Sequence, residues 1–319
     1  MSKKIAFLFP GQGAQYVGMA KDFYDSFSVA REVFEEADDR LKEPLSRLIF
    51  EGPKEELTLT RNSQCAIYVS SIAIWRVIQK QFPDLIPNYC AGLSLGEYTA
   101  LTASGKLTFT DTLSLVRLRA QAMQEACESR PGTMQVVLGL ESSAVQEAIG
   151  ALNPPHLVWV ANLNCPGQVV ISGTLDGIHS ALEKLKEMGA RRFLPLDVSG
   201  AFHSGLMQEA KEKLAPYILS ASLKESEPLL VMNVSGKAER EVGNICRHLI
   251  DQVTNPVLWE SGIRTIESLG VDLFIEIGCG KTLQGLNKKI GTAVPTISVE
   301  KIFELEELEE RVYGTIIKK

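Results

Sequence analysis

A serine bracketed by glycines closes a short apolar run in the stretch Tyr89-Cys90-Ala91-Gly92-Leu93-Ser94-Leu95-Gly96-Glu97. Glycine at 92 and 96 removes the Cβ atoms that would collide with neighbouring backbone where a strand reverses sharply into a helix, so the Ser94 hydroxyl is lifted onto an exposed crest. The helix predicted to begin at about Leu95 aims its unpaired N–H groups and positive dipole end at that crest, where they stabilise negative charge developing on a substrate oxygen. A nucleophile beside an anion site suits acyl chemistry. The same five residues also make a plain tight connection, so the pattern alone does not decide between the two.

A serine nucleophile needs a base, and the chain has four histidines, at 156, 179, 203 and 248. His156 follows two prolines in a loop, and His179 and His248 lie within predicted helices, where a surface or structurally satisfied ring is the simpler reading. His203 stands in the polar junction Val198-Ser199-Gly200-Ala201-Phe202-His203-Ser204, at which the chain re-enters its larger domain. From there it can take the proton from Ser94 and return it to a leaving group. Arg119, on a long predicted helix, reads as a solvated cation by default and as a bidentate carboxylate ligand if it is buried facing the cleft. Gly11-x-Gly13 lacks the third glycine of a dinucleotide fingerprint, and its close approach suits a backbone N–H from Gln12 aimed at a reacting centre. Gly278-Cys279-Gly280-Lys281-Thr282 fails as a phosphate loop, because that motif's first glycine would fall at Ile275. Asp176 reads as a helix cap.

The elements that must hold these residues follow from periodicity. Lys4–Phe9 reads as a buried strand, Met19 to about Leu48 as amphipathic helix, Ser63–Gln81 as a deeply buried helix, and Thr110-Asp111 as the cap of a helix to about Glu128. At Pro131-Gly132 the pattern changes to strand Thr133–Leu140, helix Ser142–Leu152, strands Leu157–Asn162 and Gln168–Gly173, helix Leu175–Met188 and strand Ala190–Val198. That order is the split β-α-β-β-α-β unit. The larger α/β pattern then resumes, with a helix from about Gly205, a strand at Leu229–Asn233, helices over Glu241–Gln252 and Trp259–Leu269, and the strand Leu273–Ile277. The expected fold class is α/β. A central mostly parallel sheet forms a discontinuous large domain (1–131 and 199–319), and a ferredoxin-like small domain is inserted at 132–198, with the binding cleft between them.

A net charge of -6 and the lack of a basic stripe argue against nucleic acid as a partner. No apolar run is long enough to span a bilayer, so no membrane partner is expected. The six cysteines are scattered without a Cys-x-x-Cys pair, and with no clustered histidines they predict reduced thiols, no metal site and a cytoplasmic location.

Phe9-Pro10-Gly11-Gln12-Gly13, Gly92-Leu93-Ser94-Leu95-Gly96-Glu97-Tyr98, Leu118-Arg119, Asn164-Cys165-Pro166-Gly167-Gln168-Val169-Val170, Phe202-His203-Ser204, Gln252-x-x-Asn255-Pro256-Val257 and Glu276-Ile277-Gly278-Cys279-Gly280 occur in that order. Together they make the chain resemble, nearly end to end, the malonyl-CoA:acyl carrier protein transacylases, the acyltransferases of type II fatty-acid synthesis. The resemblance implies a hydrolase-like large domain and a ping-pong transfer through a malonyl ester of Ser94. His203 would be the base, and the main-chain carbonyl of Gln252 would orient it. Backbone N–H groups of Gln12 and Leu95 would form the oxyanion hole, Arg119 would pair with the malonyl carboxylate, and Phe202 would narrow the space beside the α-carbon. It further implies malonyl-CoA and acyl carrier protein as partners, no cofactor beyond the thioester substrate and the partner's phosphopantetheine, and a monomer.

Two positions depart from the family: Leu93 stands where histidine is common, and Cys279 where proline is frequent. An acidic carrier protein calls for a basic docking patch. The candidates are Lys184, Lys186, Lys281, Lys288 and Lys289, and above all Arg191 and Arg192. An α/β-hydrolase esterase or thioesterase is the enzymatic alternative, and a non-catalytic carrier-protein binder the other. The first places its histidine near the chain end, unlike His203, and the second has no use for an intact Ser94, His203, Arg119 and Gln252.

Overall fold

Five short apolar runs become the parallel core of one sheet, because strands covered on both faces carry no polar side. In the computed structural model, which describes residues 3–152, 157–198 and 200–314, the chain opens with β1 (Ile5–Phe9), buried throughout. His156 lies outside the described residues. Four helices follow before the long one: α1 (Lys21–Ser26), α2 (Ser28–Leu41), α3 (Leu45–Glu51) and α4 (Lys54–Thr58). The single helix expected over 19–48 is thus three. The chain turns extended at Phe27 and left-handed at Lys42 (φ 56°), and Pro44 disfavours a helical residue before it.

Next, α5 (Thr60–Gln81) is buried on nearly every side between α2 and the helix of 109–129. Then come β2 (Tyr89–Gly92), α6 (Gly96–Ala103) and α7 (Phe109–Ser129). The cap of α7 is Thr108 rather than Thr110-Asp111. Its Oγ1 accepts the Asp111 N–H at 3.2 Å and donates to the Asp111 carboxylate at 2.7 Å, which places Asp111 inside the first turn.

The inserted unit runs β3 (Thr133–Leu138), α8 (Ser142–Ala151), β4 (Val158–Cys165), β5 (Gln168–Gly173), α9 (Leu175–Glu187) and β6 (Arg192–Pro195). Its strands form an antiparallel sheet in the order β4-β5-β3-β6, a ferredoxin-like arrangement. Thr174, not Asp176, caps α9 by accepting the Gly177 N–H at 3.1 Å. Alternation gives this sheet two apolar faces: Val137, Val169 and Ile171 pack under α8 and α9, while Met134, Val136 and Val170 turn towards the large domain.

The remainder is α10 (Gln208–Ser220), β7 (Leu229–Val231), β8 (Ala238–Glu239), α11 (Val242–Gln252), α12 (Trp259–Ser268), β9 (Leu273–Ile277), α13 (Thr282–Ile290), β10 (Thr296–Val299) and α14 (Glu304–Tyr313). The large sheet has the order β10-β9-β1-β2-β7-β8, parallel except for β8 at its edge. The chain moves outward from β1 on both sides, so the loops after β1 and β2 open at a switch point where α/β sheets bind ligands. A main-chain stitch joins the small sheet to the segment between α11 and α12: Leu163 N–H donates to Val257 O and Val257 N–H to Ala161 O, each at 2.9 Å. All six cysteines are buried and free. Among the described residues no helix is long and apolar enough to cross a membrane, and no three His, Cys, Asp or Glu side chains gather as a metal site.

Candidate active site

At the end of β2 the chain reverses through Ser94, whose φ of 52° is left-handed and costly for a residue with a Cβ. The glycines on either side allow it. A Cβ on Gly92 would land on the Gly96 carbonyl, and one on Gly96 would land on the Phe9 carbonyl of β1. Asn233, just past β7, holds the reversal from outside by accepting the Ser94 N–H on Oδ1 at 2.7 Å and donating from Nδ2 to Gly92 O at 2.8 Å.

His203 Nε2 lies 2.8 Å from Ser94 Oγ, and His203 Nδ1 lies 2.8 Å from the main-chain oxygen of Gln252 at the end of α11. A carbonyl only accepts, so the proton sits on Nδ1 and Nε2 is left to accept from the serine hydroxyl. The histidine backbone is left-handed as well, with φ 55°. Burial first, and then the charge of Arg119, outweigh the pull of the Gln252 and Asn255 main chain and lower the imidazole from 6.5 to about 4. A neutral base is thus the resting form near pH 7.

Arg119 points inward from α7 and is only 1% exposed. Nη1 donates to Gln64 Oε1 at 2.5 Å, while Nη2 donates to Gln252 Oε1 and to Ser94 Oγ, both at 3.0 Å. The guanidinium stacks over the Tyr98 ring at 5.5 Å. Every hydrogen-bond acceptor it meets is neutral. Among the described residues no carboxylate forms an ion pair with it, and Nε has no partner. Burial accordingly lowers its pKa. At Glu97, buried behind Gln252, burial outweighs the opposing pull of Asn233, Gln252 and Arg119 and pushes the carboxyl up to about 8.

These groups open into a cavity of about 210 Å³. Ser94, His203, Arg119, Gln12 and Phe202 line it, and the inward face of the small sheet, with Met134, Val136 and Val170, covers it. The backbone N–H groups of Gln12 and Leu95 find no acceptor among the described residues. Leu93 forms part of the wall and packs on the buried apolar group that includes Leu8, Ala91 and Val257. Arg191 and Arg192 are exposed at the start of β6 and do not line the cavity. Lys281 is engaged by Glu304, and Lys289 reaches Gln168 Oε1 at 3.0 Å. A more open groove of about 470 Å³ beside α12, with Glu260 and Arg264, contains no nucleophile paired with a base.

Sequence reading overlooked Gln64, Asn233 and the bridging side chain of Gln252. Gln64 stands where the apolar stretch of α5 begins, and Asn233 closes the strand expected over Leu229–Asn233, so each left a faint signal. Their partners lie 55 and 139 residues away, beyond the reach of any local pattern.

Residues 6–303 match the acyl transferase domain family. The chain is 45% identical over 297 residues to the malonyl CoA-acyl carrier protein transacylase of Bacillus subtilis, covering 93% of each protein. The acyl-carrier-protein-S-malonyltransferase of Bartonella henselae superposes with a TM-score of 0.92 at 38% identity, over 97% of this chain and 99% of that one. A malonyl-transacylase solved in complex with its type II PKS acyl-carrier protein also gives 0.92, at 37% identity and the same coverage.

Proposed function

The chain belongs to the acyl transferase domain family, and we propose that it moves the malonyl group of malonyl-CoA to the phosphopantetheine thiol of an acyl carrier protein, supplying the extender unit of fatty-acid synthesis in the cytoplasm. The observation that carries this reading is Arg119: a buried guanidinium with only neutral partners, one nitrogen of which lies 3.0 Å from the nucleophilic oxygen. A cation so placed calls for an acyl group with its own carboxylate. Malonyl has one two carbons from the thioester carbonyl, whereas acetyl leaves the charge uncompensated.

The transfer runs through an ester. Ser94 Oγ bonds to the thioester carbon as its proton passes to His203 Nε2. The oxyanion is received by the N–H groups of Gln12 and Leu95, the C–S bond breaks, and the departing thiolate takes the proton. The carrier-protein thiol then attacks the ester by the same steps in reverse. Gln252 O keeps the imidazole in the required tautomer, as an acid does in a triad. Phe202 crowds the α-carbon and disfavours a methyl branch. All these groups come from one chain, so a monomer suffices, and no cofactor is needed. Arg191 and Arg192 are offered to the acidic carrier protein.

Intact-protein mass spectrometry after mixing with malonyl-CoA or acetyl-CoA tests the proposal. A malonyl adduct is expected on the wild type, absent in Ser94→Ala and discharged by carrier protein. Arg119→Ala should lose about 3–5 kcal/mol of malonyl preference, roughly a hundredfold or more. Free malonate accumulating without an acceptor would mean a hydrolase, and no adduct with no turnover would mean a binding protein.

A further inference from the structure

We infer that Glu97 is a positioning residue: it fixes which end of the Gln252 side-chain amide faces Arg119, and so aims the guanidinium at the carboxylate of the acyl group. The inference rests on the function proposed above. Glu97 sits in the first turn of α6, is 1% exposed and touches no part of the cavity. Oε1 accepts the main-chain N–H of Asn233, and Oε2 accepts from Nε2 of Gln252, both at 2.6 Å. Both partners are donors, so a proton on either oxygen would face another proton, and the bonded geometry is that of the carboxylate.

The consequence is a chain of bonds that runs in one direction only. A carboxylate accepts and never donates, so Gln252 must turn its NH2 towards Glu97, where that group also reaches Ser94 O at 2.9 Å. Gln252 Oε1 is thereby left for Arg119, which donates and never accepts. The same Gln252 carries His203 on its main-chain oxygen. One residue thus seats the base through its backbone and the acyl-selecting cation through its side chain, and Glu97 holds that side chain in register.

Glutamine at position 97 has nearly the same shape as glutamate but one acceptor too few. If its oxygen serves the Asn233 N–H, its NH2 faces the NH2 of Gln252. Either the opposed donors push the Gln252 side chain off its bonds to Ser94 O and Arg119, or the amide flips and sets a donor against Arg119 and an oxygen against Ser94 O. If its oxygen serves Gln252, two donors meet at Asn233, whose side chain holds the Ser94 N–H. Aspartate keeps both acceptors on a shorter arm. The bonding role therefore ranks wild type above E97D above E97Q, while a role in filling space ranks E97Q above E97D.

The test is the rate of Ser94 acylation by malonyl-CoA and by acetyl-CoA in wild type, E97Q and E97D, above the pH of about 8 to which burial pushes this carboxyl. The malonyl-to-acetyl ratio is expected to fall about tenfold or more in E97Q and less in E97D. An unchanged ratio in folded E97Q, or a larger loss in E97D than in E97Q, overturns the inference. If E97Q does not fold, E97D decides alone, with an unchanged ratio counting against the proposal. No malonyl ester on wild-type Ser94 would remove the functional reading itself, and this inference with it.

Discussion

His203 shows how far a fold moves one side chain. Its imidazole is lowered from 6.5 to about 4, so the neutral form that accepts the Ser94 proton persists well into acid. The acid limb of kcat/KM that His203 sets, which reports free enzyme, should therefore fall near pH 4 rather than near 6.5, apart from the limb near 8 at which Glu97 gains its proton. The limb of kcat should lie higher, because a bound carboxylate offsets the Arg119 charge. A kcat/KM limb at the ordinary histidine value would refute this. Linkage gives the matching stability change: the unfolded chain takes a proton below 6.5 that the folded ring refuses, so this contribution is whole above 6.5 and is lost as pH falls towards 4. At this scale the sequence was readable where residue type points to a partner, as in the pairing of Ser94 with His203. It was silent on the Gln252 side chain, whose bridging of Glu97 and Arg119 exists only once three distant segments meet.

The passage from β2 to α6 depends on two missing side chains. Because the Phe9 carbonyl occupies the place of a Cβ at Gly96, and main chain in a buried strand cannot swing aside, Gly96→Ala should lose about 1–3 kcal/mol of stability. Ser94 acylation should weaken with it. Denaturant midpoints and adduct formation measure the two effects, and a substitution neutral in both would mean that α6 shifts freely against β1. This element was legible because glycine spacing and an apolar run are local signals. The helix expected over 19–48 was not, since its amphipathic period continues across Phe27 and Lys42 while the backbone breaks there. Beyond Ile277 the elements α13, β10 and α14 were unread, although Leu283, Leu286 and Ile290 recur at helical spacing in α13.

Across the molecule, the small sheet is both the roof of the cavity and a partner of the large domain. The paired bonds between Val257 and the β4 residues Ala161 and Leu163 tie it to the segment that follows Gln252. In native-state hydrogen exchange the Leu163 and Val257 amides should therefore open with the same free energy as the β1 core. Release at much lower energy would show the insertion parting from its host before global unfolding. That insertion was legible as a βαββαβ run, but its attachment was not, for a single parallel bridge leaves no periodicity. The buried, unpaired cysteines bear on how turnover is watched. With all six shielded and their pKa values raised, a sulfhydryl-reactive dye sees coenzyme A and not protein. Mixed with malonyl-CoA alone, the enzyme should release a single equivalent of colour and stop. A steady climb would reveal water taking the acceptor's place.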